Sequence, residues 1–237
     1  MTSLRRTIPF LAALGVGVTL AGCGHSAEHE ATSSTAAQSL SETGSTSAAP
    51  AATLDISRVD NVKGDFPAGF TTESESAKAL TQADIDNSGV NSFTDAEINP
   101  PQCRSLLIPP GAQPTIGAQA AGVRGKSDQG NMFVVALTQP QPVQAAAPPS
   151  GCDKVSVAGG SDESGTAEPI PAPQIDGATT TGVKLTMGDD EDPDYIYTAA
   201  LNDQTSVIAV GSAADDLNPQ QTLSDLLVKA VAAVRGQ

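Results

Sequence analysis

Residues 194–234 read DYIYTAALNDQTSVIAVGSAADDLNPQQTLSDLLVKAVAAV, and this stretch decides the fold class. Two strand-like runs, Asp194 to Leu201 and Thr205 to Val210, are separated by Asn202, Asp203 and Gln204, which is a hairpin signal. Further on, Asn218 stands where a helix N-cap belongs, and Pro219 suits the first helical turn. Leu223, Leu226, Leu227, Ala230, Val231 and Val234 then recur at 3.6-residue spacing and share one face. A hairpin followed by an amphipathic helix implies a sheet with that helix laid on it. The expected fold is α+β, with a mainly antiparallel sheet and flanking helices.

Working outward, Val183 to Met187 reads as a third strand. Met132 to Thr138, through Phe133, Val134, Val135, Ala136 and Leu137, has the continuous apolar character of a buried central strand. Gln119 to Arg124 is placed to pair with it across a turn from Gly125 to Gly130. The proline-rich segments Gln139 to Pro149 and Glu168 to Pro173 read as loops, because proline cannot donate to a sheet ladder and stops helices. Residues 53–237 thus have the length and punctuation of one domain.

The first 22 residues have a different character. Arg5 and Arg6 precede a mainly apolar run from Ile8 to Leu20, too short to span a bilayer, which is the anatomy of an export signal. The run closes with Leu20, Ala21, Gly22 and Cys23, which matches the lipobox of bacterial lipoproteins, where the cysteine thiol accepts a diacylglycerol. The alternative is a buried helix that happens to end in cysteine. On the first reading Cys23 becomes a lipidated N-terminus, and each acyl chain contributes about 0.8 kcal/mol per buried methylene. The expected location is the extracytoplasmic side of the cell membrane, in the cell envelope, with the membrane engaged through the anchor on Cys23. Residues 23–52 are mostly Ser, Thr, Ala, Gly and Glu and cannot bury enough surface to order themselves, so they read as a tether. A random coil of that length spans roughly 30 Å.

Charge and chemistry narrow the function further. The chain has 12 basic and 27 acidic residues, net charge −15, and removing Arg5 and Arg6 deepens the excess. Nucleic acid is not an expected partner, because no basic stripe offsets the repulsion from phosphates. With Cys23 lipidated, Cys103 and Cys152 remain as an even pair in an exported chain, most simply a disulfide. Closing a loop of about 50 residues would stabilise the fold by roughly 4 kcal/mol. A reactive thiol pair is the alternative.

The only histidines, His25 and His29, lie in the tether, which removes Ser-His-Asp and Cys-His designs from the domain. There is no nucleophile elbow, P-loop or GxGxxG turn. No catalytic, cofactor or metal residue is assigned, and an enzyme is not expected; carboxylate-pair or Ser/Lys chemistry needs so little signature that it stays open. Asp84, Asp86, Ser88, Gly89 and Asp95 match EF-hand positions 1, 3, 5, 6 and 12, although Asn91 occupies an apolar position and Asp95 replaces the usual Glu. An acidic turn after a short helix explains the same residues. The cluster Asp189, Asp190, Glu191, Asp192 and Asp194 reads as a solvated turn. Tyr195 and Tyr197 share one face of a strand, consistent with a half-buried sheet surface.

The lipobox and tether, then Phe66-Pro67-Ala68-Gly69-Phe70, then Pro100-Pro101-Gln102-Cys103 with Leu106 and Leu107, and finally the hairpin and terminal helix, resemble an uncharacterised group of mycobacterial surface lipoproteins. That group is distantly similar to the extracellular sensor domain of the Ser/Thr kinase PknH. The resemblance covers about Leu54 to Val234. It implies an α+β fold with a sheet, flanking helices and a cleft for an unidentified ligand. The kinase sensor domain has two disulfides, whereas this sequence has cysteines for one. The expected function is therefore a sensor-like domain that binds a ligand or an envelope partner. The alternatives are a structural or protein-interaction lipoprotein without a small-molecule pocket, and a carboxylate enzyme.

Overall fold

A computed structural model describes residues 53–88, 96–144, 150–158, 164–188 and 192–237. The expected export signal, the lipidation site Cys23, the tether with its two histidines, Gly89, Asn91, Asp95 and Asp189 to Glu191 lie outside the described residues.

The fold is α+β, built on one open sheet of nine strands: β1 (Thr71–Ala79), β2 (Glu97–Asn99), β3 (Gln119–Ser127), β4 (Gly130–Thr138), β5 (Val155–Ala158), β6 (Ser164–Pro169), β7 (Thr179–Met187), β8 (Asp194–Ala200) and β9 (Thr205–Ala213). Their order is β1-β3-β4-β9-β8-β7-β6-β5-β2, and every neighbouring pair is antiparallel. Two short helices, α1 (Gln82–Asp86) and α2 (Arg104–Leu107), and one long helix, α3 (Pro219–Arg235), complete the framework, together with a 3-10 helix at Ile56–Asp65.

The hairpin and terminal helix form as their sequence predicts. In the β8–β9 turn the Asn202 side chain accepts from the backbone N–H of Gln204 at 2.8 Å and of Thr205 at 2.6 Å, which locks the connection. All six periodic residues of α3 are buried. The cap differs from expectation: Asn218 adopts a left-handed conformation, φ 45°, and its side chain makes no capping bond. Its carbonyl instead accepts from Thr222 at the helix start.

Because side chains alternate along a strand, the sheet offers two faces. On one, Met132, Val134, Val207, Ala209, Tyr195 and Tyr197 meet α3 and the 3-10 helix. A 3-10 helix has three residues per turn, so Ile56, Val59 and Val62 line one edge of it, and the latter two are fully buried. On the opposite face, Val183, Leu185 and Ile196 pack with Val155, Val157, Leu106, Leu107 and the Cys103–Cys152 disulfide, whose Cα atoms stand 5.6 Å apart.

Two sequence expectations are corrected. The turn expected from Gly125 to Gly130 spans only Asp128 and Gln129, because β3 continues through Gly125 to Ser127. Glu168 and Pro169, expected in a loop, form the last two residues of β6, where the ladder is ending and a missing N–H costs little. The expected antiparallel character of the sheet is borne out at every pair of neighbouring strands. No helix among the described residues is long and apolar enough to cross a membrane.

Candidate functional site

The second face is not covered along its whole width. Ile196 on β8 is buried there, whereas Val210 and Ile208 on β9 are partly buried, and Phe133 and Val135 on β4 are only half-buried. At the far end, β1 is exposed at nearly every position. Among the described residues, the corner formed by β1, β3 and the start of β4 therefore has one face without a packing layer.

A cleft of about 450 Å³ opens at this corner. Register places its walls: Thr71 pairs with Lys126 and Glu73 with Arg124, so all four side chains project from the same face. Ser127 and Asp128, at the β3–β4 turn, close one end, and Gly69 closes another. The Gly69 wall is fixed from beneath, since the Phe66 ring lies against Gly125 on the other face of β3. A Cβ built at Gly125 would approach the ring to 2.3 Å, so only glycine allows the close approach.

The electrostatics of this corner are unusual for the chain. Ten Lys and Arg side chains fall within the described residues. Arg58, Lys63, Lys78, Lys154 and Lys229 each pair with a carboxylate. Arg104 donates to the Ala96 carbonyl and Arg235 to those of Asp176 and Gly177. Arg124, Lys126 and Lys184 have neither kind of partner among the described residues, and two of these three line the one cleft.

Arg124 stands opposite Glu73 yet lies over the Phe133 ring, 5.4 Å from its centroid, a cation–π arrangement. Its Nε is buried without a hydrogen-bond partner among the described residues, and so is Oδ1 of Asn131, the residue paired with Lys126 across β3–β4. A buried donor or acceptor left unmet costs about 1–3 kcal/mol, so a donor and an acceptor orphaned on adjacent strands mark a place built for something other than packing.

Residues singled out from sequence are placed elsewhere. The Asp84 carboxylate is already committed: one oxygen accepts from Lys78 Nζ at 2.8 Å and the other from the Thr81 hydroxyl and N–H, closing a capping box at α1. The Lys78 ammonium, and after it the Thr81 bonds, hold Asp84 down to about 2. Asp86 accepts from Gln82. Among the described residues no group of three or more His, Cys, Asp or Glu could hold a metal ion. Tyr197 is fully buried against the helix layer, and burial raises its pKa, as it does that of Tyr195. A second cleft, about 400 Å³, lies between Ala178 and the β8–β9 turn and presents Asp203 as its one charged side chain.

A family model described as a domain of unknown function, DUF5642, matches residues 55–235. The chain belongs to that family. The DUF5642 domain thus begins beside the 3-10 helix and ends with α3, and includes every strand of the sheet. Its fold is similar to the X-ray structure of an uncharacterized protein (Rv0999 ortholog) from Mycobacterium smegmatis, with a TM-score of 0.59 and 20% sequence identity over 77% of this chain and 98% of that one. Nothing matches among curated proteins.

The cleft was not singled out in the sequence. Its one linear signal is Arg124-Gly125-Lys126, two basic residues two apart in a chain short of basic residues, which places both on one face once the strand is extended through them.

Proposed function

We propose that this protein is a lipid-anchored envelope protein whose DUF5642 domain binds a small polar ligand, without catalysis, in the cleft between β1 and β3. The observation that carries the reading is the gathering, at the uncovered corner of the sheet, of two unpaired cations with an orphaned donor and acceptor. The anchor rests on the Arg5–Arg6 flank, the apolar run and Leu20-Ala21-Gly22-Cys23. A sensor-like role follows if binding is relayed to an envelope partner.

Native mass spectrometry of the whole chain, extracted in detergent from its own envelope, tests the ligand reading. A co-purifying mass in the wild type that is lost in Thr71→Trp, which fills the exposed cleft, supports it. A bare wild-type mass, or a ligand retained by Thr71→Trp, overturns it and favours a protein-interaction role. Cys23→Ala should release the chain from the membrane fraction; its retention there would sink the anchor.

A further inference from the structure

We infer that the ligand of this cleft carries an oxyanion, a carboxylate or a phosphate, on a molecule that also bears hydroxyl or amide donors, and that Arg124 and Lys126 hold the anion. The inference rests on the reading of the cleft as a binding site and names what enters it.

Three observations lead to the anion. Acids outnumber bases in this chain by 27 to 12, so an unpaired cation is the exception, and two exceptions meet at one cleft. Arg124 and Lys126 are two residues apart on β3 and project from the same face, which brings a fork-shaped donor and a point charge to one spot. The ring of Phe133 supports the guanidinium in place of Glu73, leaving its charge unmatched by any carboxylate among the described residues. A purely structural arginine on this strand would pair with the glutamate opposite it.

The rest of the lining limits the anion. Glu73 and Asp128 flank the two cations, so a densely charged polyanion would be repelled, while one oxyanion on Arg124 and Lys126 is accommodated. The carboxylates and the hydroxyls of Thr71 and Ser127 all accept hydrogen bonds. A ligand that fits donates to these through hydroxyl or amide groups while presenting its anion to the cations.

The experiment uses three probes that share one skeleton. Glycerate, glycerol 3-phosphate and glycerol are titrated by calorimetry into the whole chain in detergent, after removal of any co-purified molecule. At least one of the two anions should bind and glycerol should not; the tighter anion tells whether a carboxylate or a phosphate is the natural group. Arg124→Gln should weaken binding about tenfold or more, since it removes a charge-assisted fork, and Arg124→Lys should fall between it and the wild type. Lys126→Gln, at an exposed position that cannot compromise folding, should weaken it several-fold, and Lys184→Gln should leave it unchanged. Equal binding of glycerol, no binding of any probe, or indifference to both Arg124→Gln and Lys126→Gln overturns the inference. If Thr71→Trp expels the co-purified molecule while the two charge variants keep it, the cleft is a ligand site and the oxyanion is wrong. If Thr71→Trp keeps it as well, both readings fail.

Discussion

Replacing Gly125 by alanine should destabilise the domain, and removing Phe66 should reverse the sign of that effect. The added Cβ would stand 2.3 Å, 2.6 Å and 3.2 Å from three carbons of the Phe66 ring. No rotamer relieves a clash made by Cβ itself, so the ring must move. Phe66 is 9% exposed and belongs to the cluster of Val59, Val62 and the helix residues. Displacing it returns part of an aromatic side chain to water, and overpacking of this kind costs about 1–3 kcal/mol. For a domain of this size a loss of about 2 kcal/mol lowers Tm by roughly 4–8 °C. In a Phe66→Ala background the space is open, and Gly125 has no positive φ to protect. Alanine there should stabilise by about 0.4–1 kcal/mol through the unfolded chain. Urea unfolding of the two single variants and the double variant gives the coupling directly, expected on the order of 2–3 kcal/mol. A Gly125→Ala penalty of the same size in both backgrounds would refute the reasoning. Since Phe66 leads into the turn that carries Gly69, the same substitution should also weaken ligand binding at the cleft.

Opening the Cys103–Cys152 link, by Cys103→Ala with Cys152→Ala, should cost up to roughly 4 kcal/mol for a loop of 49 residues, read as a lower urea midpoint. Asp84→Asn should cost about 1 kcal/mol by removing the capping box at α1. Because the folded carboxyl sits near 2, below its ordinary 3.8, its contribution is present above pH 3.8 and is lost as pH falls towards 2. Acid titration of stability in that window should be flatter in the variant. Gln139 is buried, donates to the Gln113 carbonyl at 2.6 Å and accepts from the Thr115 hydroxyl at 2.7 Å. Gln139→Leu should cost about 1–3 kcal/mol and speed amide exchange in the loop around Gly111 to Gly117.

What could be read from sequence was what is buried and periodic. Helix α3 repeats its apolar face from Leu223 to Val234, β4 carries the apolar run Met132 to Leu137 and β9 the run Val207 to Val210, so all three are visible without neighbours. Strand β1, Thr-Thr-Glu-Ser-Glu-Ser-Ala-Lys-Ala, is exposed on both faces and has no alternation to betray it. Strands β2 and β5 have three and four residues, below the length at which a period can be counted. The 3-10 helix did leave a trace, in Ile56, Val59 and Val62 at intervals of three, but this spacing fits neither an α-helix nor a strand. The cleft was illegible for a different reason. Its four central side chains come from β1 and β3, and only their register, Thr71 to Lys126 and Glu73 to Arg124, makes them neighbours.

That register also explains why a site can exist at this corner. The disulfide draws α2 and the approach to β5 onto the second face at the β5–β2 end of the sheet. The cover thins across β9, and β1 and β3 stand at the opposite edge with nothing among the described residues over that face. A residue there adds little to the core, so packing does not dictate whether position 124 is arginine or position 131 asparagine. Half-buried polar groups held in that setting, with an aromatic ring supporting one of them, cost stability that the sealed end of the sheet must supply. The two ends are thereby divided in purpose: the disulfide end anchors the sheet, and the β1–β3 corner is free to carry chemistry. It follows that the disulfide variant, examined below its unfolding transition, should keep the cleft and its ligand affinity, while Lys126→Gln, at an exposed position, should alter affinity and leave the unfolding midpoint nearly untouched. If stability and affinity instead fall together in both sets of variants, the cleft depends on the whole sheet and this division is wrong.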